Sequence, residues 1–222
     1  LVIRSWLMRL DGRVILIDTC VGDEKARPAR PDWHMRRSGA LIAALAAEGL
    51  RPADVDVVMC THLHADHVGW NTVREDGRWV PTFPNARYVC GRAEYAHWEA
   101  AEDRHGSFAD SVLPVIEAGR MDLVDDGWEL ARGLSLQATP GHTPGHMCVH
   151  ADHGDGALFA GDAIHSPVQL ACPDWVSAFC ADPATARATR LELLEMLADG
   201  GKWLIPAHFP DPGWIRVARD GA

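Results

Sequence analysis

The stretch Thr61-His62-Leu63-His64-Ala65-Asp66-His67 places three imidazoles and a carboxylate within positions 62 to 67. Such crowding of polar side chains is hard to explain unless a cation organises them, because neutral imidazole and carboxylate are the ligands of Zn²⁺ and related divalent ions. An ion with an open coordination position supplies a hydroxide near neutral pH. The stretch therefore predicts a metal-dependent hydrolase.

A predicted buried strand leads into this stretch. Residues 55–60 are mostly apolar and β-branched, which is typical of such a strand. Side chains two positions apart in an extended segment face the same way, so we expect His62 and His64 to bind one ion together. As the chain bends out of the strand, Asp66 and His67 are expected to turn toward a second ion.

Three further polar residues each follow a predicted strand. The strands cover residues 134–138, 158–161 and 203–207, and the residues that follow them are His142, Asp162 and His208. Because the ends of neighbouring strands can meet at one edge of a sheet, these side chains are expected to join the first four in one site.

In these residues the sequence resembles the metallo-β-lactamase fold superfamily of metallohydrolases. The resemblance rests on four motifs in the family's order, HLHADH at 62–67, PGHTPGH at 140–146, AGD at 160–162 and PAH at 206–208. It implies an α/β protein, an αβ/βα sandwich of two mixed sheets with helices on the outer faces. We expect one domain over residues 1–222, and an N-terminal truncation is left open because family members usually begin with further strands.

The resemblance also implies a role for each candidate ligand. It assigns His62, His64 and His142 to a first metal ion, Asp66, His67 and His208 to a second, and Asp162 to the bridge between them. A hydroxide between the two ions would be the nucleophile, and Asp66 or Asp162 would pass a proton to the leaving alkoxide. The two divalent ions are expected to be Zn²⁺, although such ligands also accept Mn²⁺, Fe²⁺ or Co²⁺.

The small dinuclear branch of the family, with the N-acyl homoserine lactone lactonases and related esterases, matches best. Asp162 stands where true zinc β-lactamases carry Cys or Ser, and the short segment after His208 argues against glyoxalase II-type thioesterases. Lactonases commonly carry Tyr three residues after the bridging aspartate, where this chain has His165. An imidazole N–H could make the same hydrogen bond to a developing oxyanion, and a purely structural histidine is the alternative. We expect His146 to orient a ligand or the backbone.

Four functions remain open at this point. The leading hypothesis is hydrolysis of a small carboxylic ester or lactone. The others are hydrolysis of an organophosphate or phosphoric ester on the same site, a mononuclear iron persulfide dioxygenase, and a binding protein without catalysis.

Composition indicates which partners to expect. A net charge of -10 on 222 residues weighs against nucleic acid, which usually requires a basic surface. Six cysteines without a CxxC pair are typical of reduced thiols in the cytoplasm. With no apolar stretch near the roughly 20 residues of a membrane span, we expect a cytoplasmic protein without a membrane partner, and a homodimer is left open.

Helical patterns lie between the predicted strands. We expect one helix from Ser38 to Glu48, with Ser38 as N-cap and Gly49 as its stop, and another from Ala184 to Leu197. Two more are predicted at 92–102 and 108–118. Some of the nine tryptophans are expected to line a pocket, although core packing explains each one equally well.

Overall fold

This computed structural model describes residues 2–101 and 106–219 of the chain. The chain divides into two compact units. The N-terminal unit comprises residues 3–90 and 95–123, and the C-terminal unit comprises residue 2, residues 91–94 and the chain from residue 124 onward. The expectation of one domain over 1–222 stays a prediction.

A five-stranded mixed sheet forms the frame of the N-terminal unit. Its strands are, in spatial order, β1 (Trp6–Leu10), β2 (Arg13–Ile17), β3 (Val57–Met59), β6 (Arg87–Gly91) and β7 (Met121–Val124), and a separate pair is formed by β4 (Thr72–Glu75) and β5 (Arg78–Pro81). The turn between β1 and β2 has positive φ at both Asp11 and Gly12, as the Asp-Gly pair predicts. Parallel pairing of β2 with β3 then brings their two C-terminal ends to the same edge.

The helices of the first half of the chain follow the predicted pattern with shorter bounds. They are α1 (Ala40–Ala47), α2 (Ala65–Val68), α3 (Arg92–Ala100) and α4 (Leu113–Glu117), with a π-helical turn at Phe108–Val112 before α4 and 3₁₀ turns at Pro52–Asp54 and Gly69–Asn71. Position 102, the predicted end of the helix that begins at 92, lies outside the described residues.

The predicted N-cap of α1 was wrong. Gly39, in the left-handed conformation at φ 60°, occupies the N-cap position. Ser38 lies one residue earlier, where its hydroxyl accepts the N–H of Ala40 at 3.3 Å and donates to Asp23. The helix ends as predicted, because Gly49 follows it with a φ of 72° and donates its N–H to Ala46.

Strand β3 and the residues after it anchor the metal-binding stretch in the apolar core. All three residues of β3 are buried, as expected for a strand whose neighbours on both sides are parallel to it. Leu63, between His62 and His64, is fully buried in a cluster with Val58, Val68 and Tyr88. The apolar residue inside the motif therefore fixes the backbone from which the two histidines project.

A six-stranded mixed sheet forms the frame of the C-terminal unit. Its spatial order is β13 (Ile215–Arg216), β12 (Trp203–Pro206), β11 (Ala157–Gly161), β10 (Met147–Ala151), β9 (Leu134–Ala138) and β8 (Glu129–Ala131), and its helices are α5 (Val168–Ala171) and α6 (Pro183–Leu197). Asp182 caps α6 by accepting the N–H groups of Ala184 and Thr185. Strands β11 and β12 are parallel, with Gly161 opposite Pro206, so Asp162 and His208 leave the sheet at the same edge.

Both sheets combine parallel and antiparallel pairs and are accompanied by helices, as the α/β prediction requires. Within the described residues, no helix is long and apolar enough to cross a membrane. The six cysteines are free thiols in this part of the chain.

Lys25 is a buried cation in the N-terminal unit. Its Nζ donates to the Thr72 hydroxyl at 2.6 Å and to the Asp110 carbonyl at 3.0 Å, and lies 3.5 Å from the centre of the Trp79 ring. Arg27 binds the Asp110 carboxylate through both terminal nitrogens. Burial is the main cause that lowers the pKa of Lys25 from 10.5 to about 7, opposed by the charge of Asp110 and assisted by that of Arg27.

Replacement of Lys25 by Met should flatten the dependence of stability on pH above neutrality. Between pH 7 and 10.5 the unfolded chain holds the Lys25 proton more tightly than the folded chain, so wild-type stability should rise with pH in this window. At about 1.4 kcal/mol per pH unit, the wild type should gain at most about 3 kcal/mol over Lys25→Met between about pH 7 and about pH 9. Urea unfolding of both proteins in the same buffers measures this, and a constant difference would show that Lys25 stays charged when folded.

Candidate metal centre

The N-terminal unit supplies the first set of candidate ligands from the end of β3 and the start of α2. His62 Nε2 and His64 Nδ1 are 2.9 Å apart. Because Zn–N bonds are about 2.0–2.1 Å long, one ion can contact both nitrogens. Asp66 and His67 lie on the first turn of α2, where His67 Nε2 is 3.9 Å from Asp66 Oδ2. The centres of the His62 and His67 rings are 4.0 Å apart, so the four side chains form one cluster, and their division between two ions stays a prediction.

Asp18 is a buried carboxylate that the sequence analysis missed. It directly follows β2, and its Oδ2 lies 2.8 Å from His67 Nδ1. It also accepts hydrogen bonds from the backbone N–H and the hydroxyl of Thr61. With Nδ1 bound to Asp18, Nε2 is the candidate ligand atom of His67. The signal that could have found Asp18 is the one used for Asp162, a carboxylate just past an apolar strand.

Replacement of Asp18 by Asn should weaken metal binding by about 10- to 100-fold, the usual effect of removing a group that orients a ligand. Asparagine keeps the size of the side chain but removes the charge that faces His67. Competition with a chromogenic chelator measures the affinity. Asp56→Asn is the matched control, because Asp56 accepts one backbone N–H, that of Val14, at the other end of the same strands. Wild-type affinity in Asp18→Asn would contradict the orienting role.

Four of the candidate histidines share one arrangement, in which Nδ1 contacts a group of the protein. The contacts are Thr61 Oγ1 for His62 at 3.1 Å, Asp18 for His67 at 2.8 Å, Cys180 Sγ for His142 at 3.8 Å and the Val2 carbonyl for His208 at 2.6 Å. Contacts of this kind hold a metal-binding imidazole in one orientation and select its ligand nitrogen. In each of these rings Nε2 is therefore the candidate ligand atom.

Asp162 is the centre of the second set, in the C-terminal unit. Its Oδ2 is 3.3 Å from His142 Nε2 and 3.4 Å from His165 Nε2, and His208 Nε2 lies 3.0 Å from Oδ1. Asp162, His142 and His208 are at most 5% exposed. A buried carboxylate is stable only when positive charge or hydrogen bonds compensate it. Imidazole and carboxylate donors placed in this way fit a divalent metal ion.

His146 orients the backbone before Asp162, as predicted. Its Nε2 accepts the backbone N–H of Asp162 at 3.0 Å, and its Nδ1 lies 2.8 Å from the Thr139 hydroxyl. Since Nε2 accepts, Nδ1 carries the proton and donates to Thr139. Both nitrogens therefore have partners, and His146 serves to position Asp162.

His165 is held through its backbone. Its N–H donates to Gln169 Oε1 at 2.7 Å. Its ring lies 4.7 Å from that of His142, centre to centre, and neither ring nitrogen makes a hydrogen bond within residues 2–101 and 106–219. Gln169 and Cys180, which approach this group, were not singled out from the sequence.

Several tryptophans lie near the first ligand set. The Trp98 and His64 rings form a T-shaped pair with their centres 5.5 Å apart. Trp33, together with Arg27 and Ala65, lines a cavity of about 140 Å³. Trp70 lines a separate cavity of about 740 Å³. The expectation that tryptophans line pockets therefore fits these two positions.

The sequence profile described as "Metallo-beta-lactamase superfamily" matches residues 1–208. The chain belongs to the metallo-β-lactamase superfamily, which confirms the predicted family and its α/β sandwich fold.

Curated relatives include N-acyl homoserine lactonases and a hydroxyacylglutathione hydrolase. The N-acyl homoserine lactonase of Bacillus cereus is 30% identical over 115 residues, which are 52% of this chain and 40% of that protein. The hydroxyacylglutathione hydrolase of Aeromonas salmonicida (strain A449) is 30% identical over 164 residues, 72% of this chain and 46% of that protein. The matched part thus spans less than half the length of these relatives.

Solved structures give the same picture of the fold. AidC, a dizinc quorum-quenching lactonase, superposes on this chain with a TM-score of 0.80 at 24% sequence identity. The superposition covers 99% of this chain and 76% of the AidC chain. The hydrolase AbOPH in the beta lactamase superfamily has the same TM-score and coverage at 27% identity.

Proposed function

We propose that this chain is a dinuclear metal-dependent hydrolase of a small carboxylic ester or lactone. The observation that carries the proposal is Asp162, a buried carboxylate with His142, His165 and His208 nitrogens within 3.4 Å. A carboxylate in such a position can bridge two ions. The lactonases among the curated relatives support the substrate class.

The two ligand sets are proposed to act together on two ions. The proposed ligands are His62, His64 and His142 for one ion, Asp66, His67 and His208 for the other, and Asp162 for both. Support comes from the family match, which spans both sets, and from the chemistry of the donors, five imidazoles and two carboxylates. Zn²⁺ is the proposed metal because such donors suit it and because AidC is a dizinc enzyme.

When bound, such ions supply an activated water and stabilise negative charge that develops on the substrate. The chain's own residues contribute the rest of the proposed chemistry. An N–H of His165 donates to the carbonyl oxygen as it becomes negative. Asp66 or Asp162 passes a proton to the leaving alkoxide. Asp18 and His146 keep His67 and Asp162 in place.

Metal analysis coupled to hydrolysis tests this proposal. Protein purified without chelator or added metal should contain about two ions per chain and should hydrolyse lactones or aryl esters, as followed by proton release. Chelation should abolish this activity, and Zn²⁺ should restore it. Paired phosphotriester substrates are the comparison, and turnover of these alone would favour the phosphoric ester hypothesis. One iron ion without hydrolysis would contradict the proposal.

Replacement of His165 by Phe should lower the rate constant of ester hydrolysis by about a hundredfold, the usual effect of losing one oxyanion donor. Metal content should not change, since His165 is outside the proposed ligand set. His165→Tyr should retain most activity because its hydroxyl can donate instead. The matched control is His153→Phe, at an exposed histidine that contacts the Arg132 carbonyl. An unchanged rate in His165→Phe would assign His165 a structural role.

The cytoplasmic location and the homodimer stay predictions.

A further inference from the structure

The C-terminal unit contains a second donor set that includes sulfur. One potential ligand atom each of His142, His165 and Cys180 lies within 4.8 Å of the other two. Cys180 Sγ is 3.8 Å from His142 Nδ1, whereas His142 Nε2 faces Asp162. The two nitrogens of the His142 ring therefore face two different groups of ligands.

Backbone hydrogen bonds hold Cys180 beside His142. Ala181 donates its N–H to the His142 carbonyl at 2.9 Å, and Asp182 donates to the Gly141 carbonyl at 3.0 Å. Asp182 is also the N-cap of α6. The separation of thiol and imidazole is thus set by the main chain on both sides of the contact.

His165 is held by a hydrogen-bonded network that leaves its ring available. Gln169 accepts the His165 N–H and donates to the Trp175 carbonyl at 2.8 Å. The fully buried Arg190 donates to the same carbonyl and to that of Pro173. Both ring nitrogens of His165 are buried and make no hydrogen bond within the described residues. Nε2 also lies 3.4 Å from Asp162 Oδ2, and the side chain is 11% exposed, so this largely enclosed imidazole can bind a metal ion.

We propose that His142, His165 and Cys180 bind one soft or borderline metal ion, such as Cd²⁺, Cu⁺ or Zn²⁺. Two imidazoles and a thiolate are ligands that these ions prefer, whereas Mn²⁺ and Mg²⁺ prefer oxygen. With Zn–S bonds of about 2.3 Å and Zn–N bonds of about 2.0–2.1 Å, the donors need only small movements to share an ion. This site does not depend on the proposed hydrolysis. Its consequence does depend on it. An ion bound there would take Nδ1 of His142 and the Cys180 sulfur, with release of the Nδ1 and thiol protons to solvent, and would also engage His165, which would inhibit hydrolysis.

Titration of the zinc-loaded protein with Cd²⁺ tests the site by the sulfur-to-cadmium charge-transfer absorption in the ultraviolet. The wild type should show this band, and the absorption should reach its maximum at about one added Cd²⁺ per chain. Cys180→Ser should lose it. Cys172→Ser and Cys20→Ser are the matched controls, because both replace a half-buried thiol elsewhere, and both should keep the band. His165→Phe should keep a band but weaken Cd²⁺ binding by at least about tenfold.

Three results would overturn the site. The first is a wild-type titration without a charge-transfer band, which does not depend on any variant folding. The second is a band that survives in Cys180→Ser, and the third is a Cd²⁺ affinity that His165→Phe leaves unchanged. The proposed function fails separately, by absence of two ions and of ester hydrolysis before Cd²⁺ is added. A hydrolase without the band would thus refute only the thiolate site.

Discussion

Asp162→Ala is expected to lose ester hydrolysis by more than about a thousandfold and to retain no more than one of the two metal ions proposed above. The substitution removes the carboxylate that three imidazole nitrogens face, and a buried group of histidines then lacks its negative partner. Removal of one partner from a buried charged group typically costs about 3–5 kcal/mol, which would appear here mainly as lost metal affinity.

Elemental analysis and the rate constant of hydrolysis should be measured on the same preparation of Asp162→Ala. Asp155→Ala is the matched control, because Asp155 is an exposed aspartate of the same unit that pairs with Arg216. This control should keep its metal and its rate. Full turnover with two ions bound in Asp162→Ala would show that the bridge is assigned to the wrong residue.

Gly69→Ala should destabilise the N-terminal unit by at least about 3 kcal/mol, the upper end of the usual cost of overpacking. A Cβ at position 69 would lie 1.9 Å from the carbonyl carbon of Val21 and 2.3 Å from the nitrogen of Gly22. Gly69 has an ordinary helical φ of -57°, so the cost arises from this contact and not from backbone strain. The segments around Gly69 and Val21 are also joined by a hydrogen bond, from the Gly69 N–H to the Cys20 carbonyl at 2.7 Å.

Urea unfolding and metal content measure the effect of Gly69→Ala. Because Gly69 ends the segment that carries Asp66 and His67, metal content should fall together with stability. Gly200→Ala is the control, since a Cβ there would be at an ordinary distance of 3.4 Å from the nearest backbone atom. A Gly69→Ala protein as stable as Gly200→Ala would mean that the two segments can separate without cost.

Local patterns in the sequence were enough to predict the strands that carry the ligands. Strand β9 lies at Leu134–Ala138, as its alternation indicates, and Asp162 and His208 follow β11 and β12 as predicted. Such residues can be predicted from the sequence because the apolar run and the polar residue after it are neighbours in the chain. The helix predicted from Ala184 to Leu197 also rests on neighbouring residues, and in the structure it begins one residue earlier, at Pro183.

Contacts between distant segments could not be predicted in this way. Asp18 and His67 are 49 residues apart, and Cys180 and His142 are 38 apart. The local pattern of apolar and polar residues does not show which strand end a distant side chain will contact. The error at Ser38 has a local cause, because Gly39 adopts the left-handed conformation and takes the cap position itself.

The pairing of β11 with β12 positions some residues of the C-terminal unit, whereas others lie in the connection between these two strands and can be replaced independently. Asp162 and His208 depend on the register of Gly161 with Pro206, whereas His165, Cys180 and α6 belong to the long connection between the two strands. Changes in that connection need not disturb the register. Exchange of the segment between relatives is therefore a route by which evolution or protein engineering could alter substrate range while the proposed ligands Asp162 and His208 are kept.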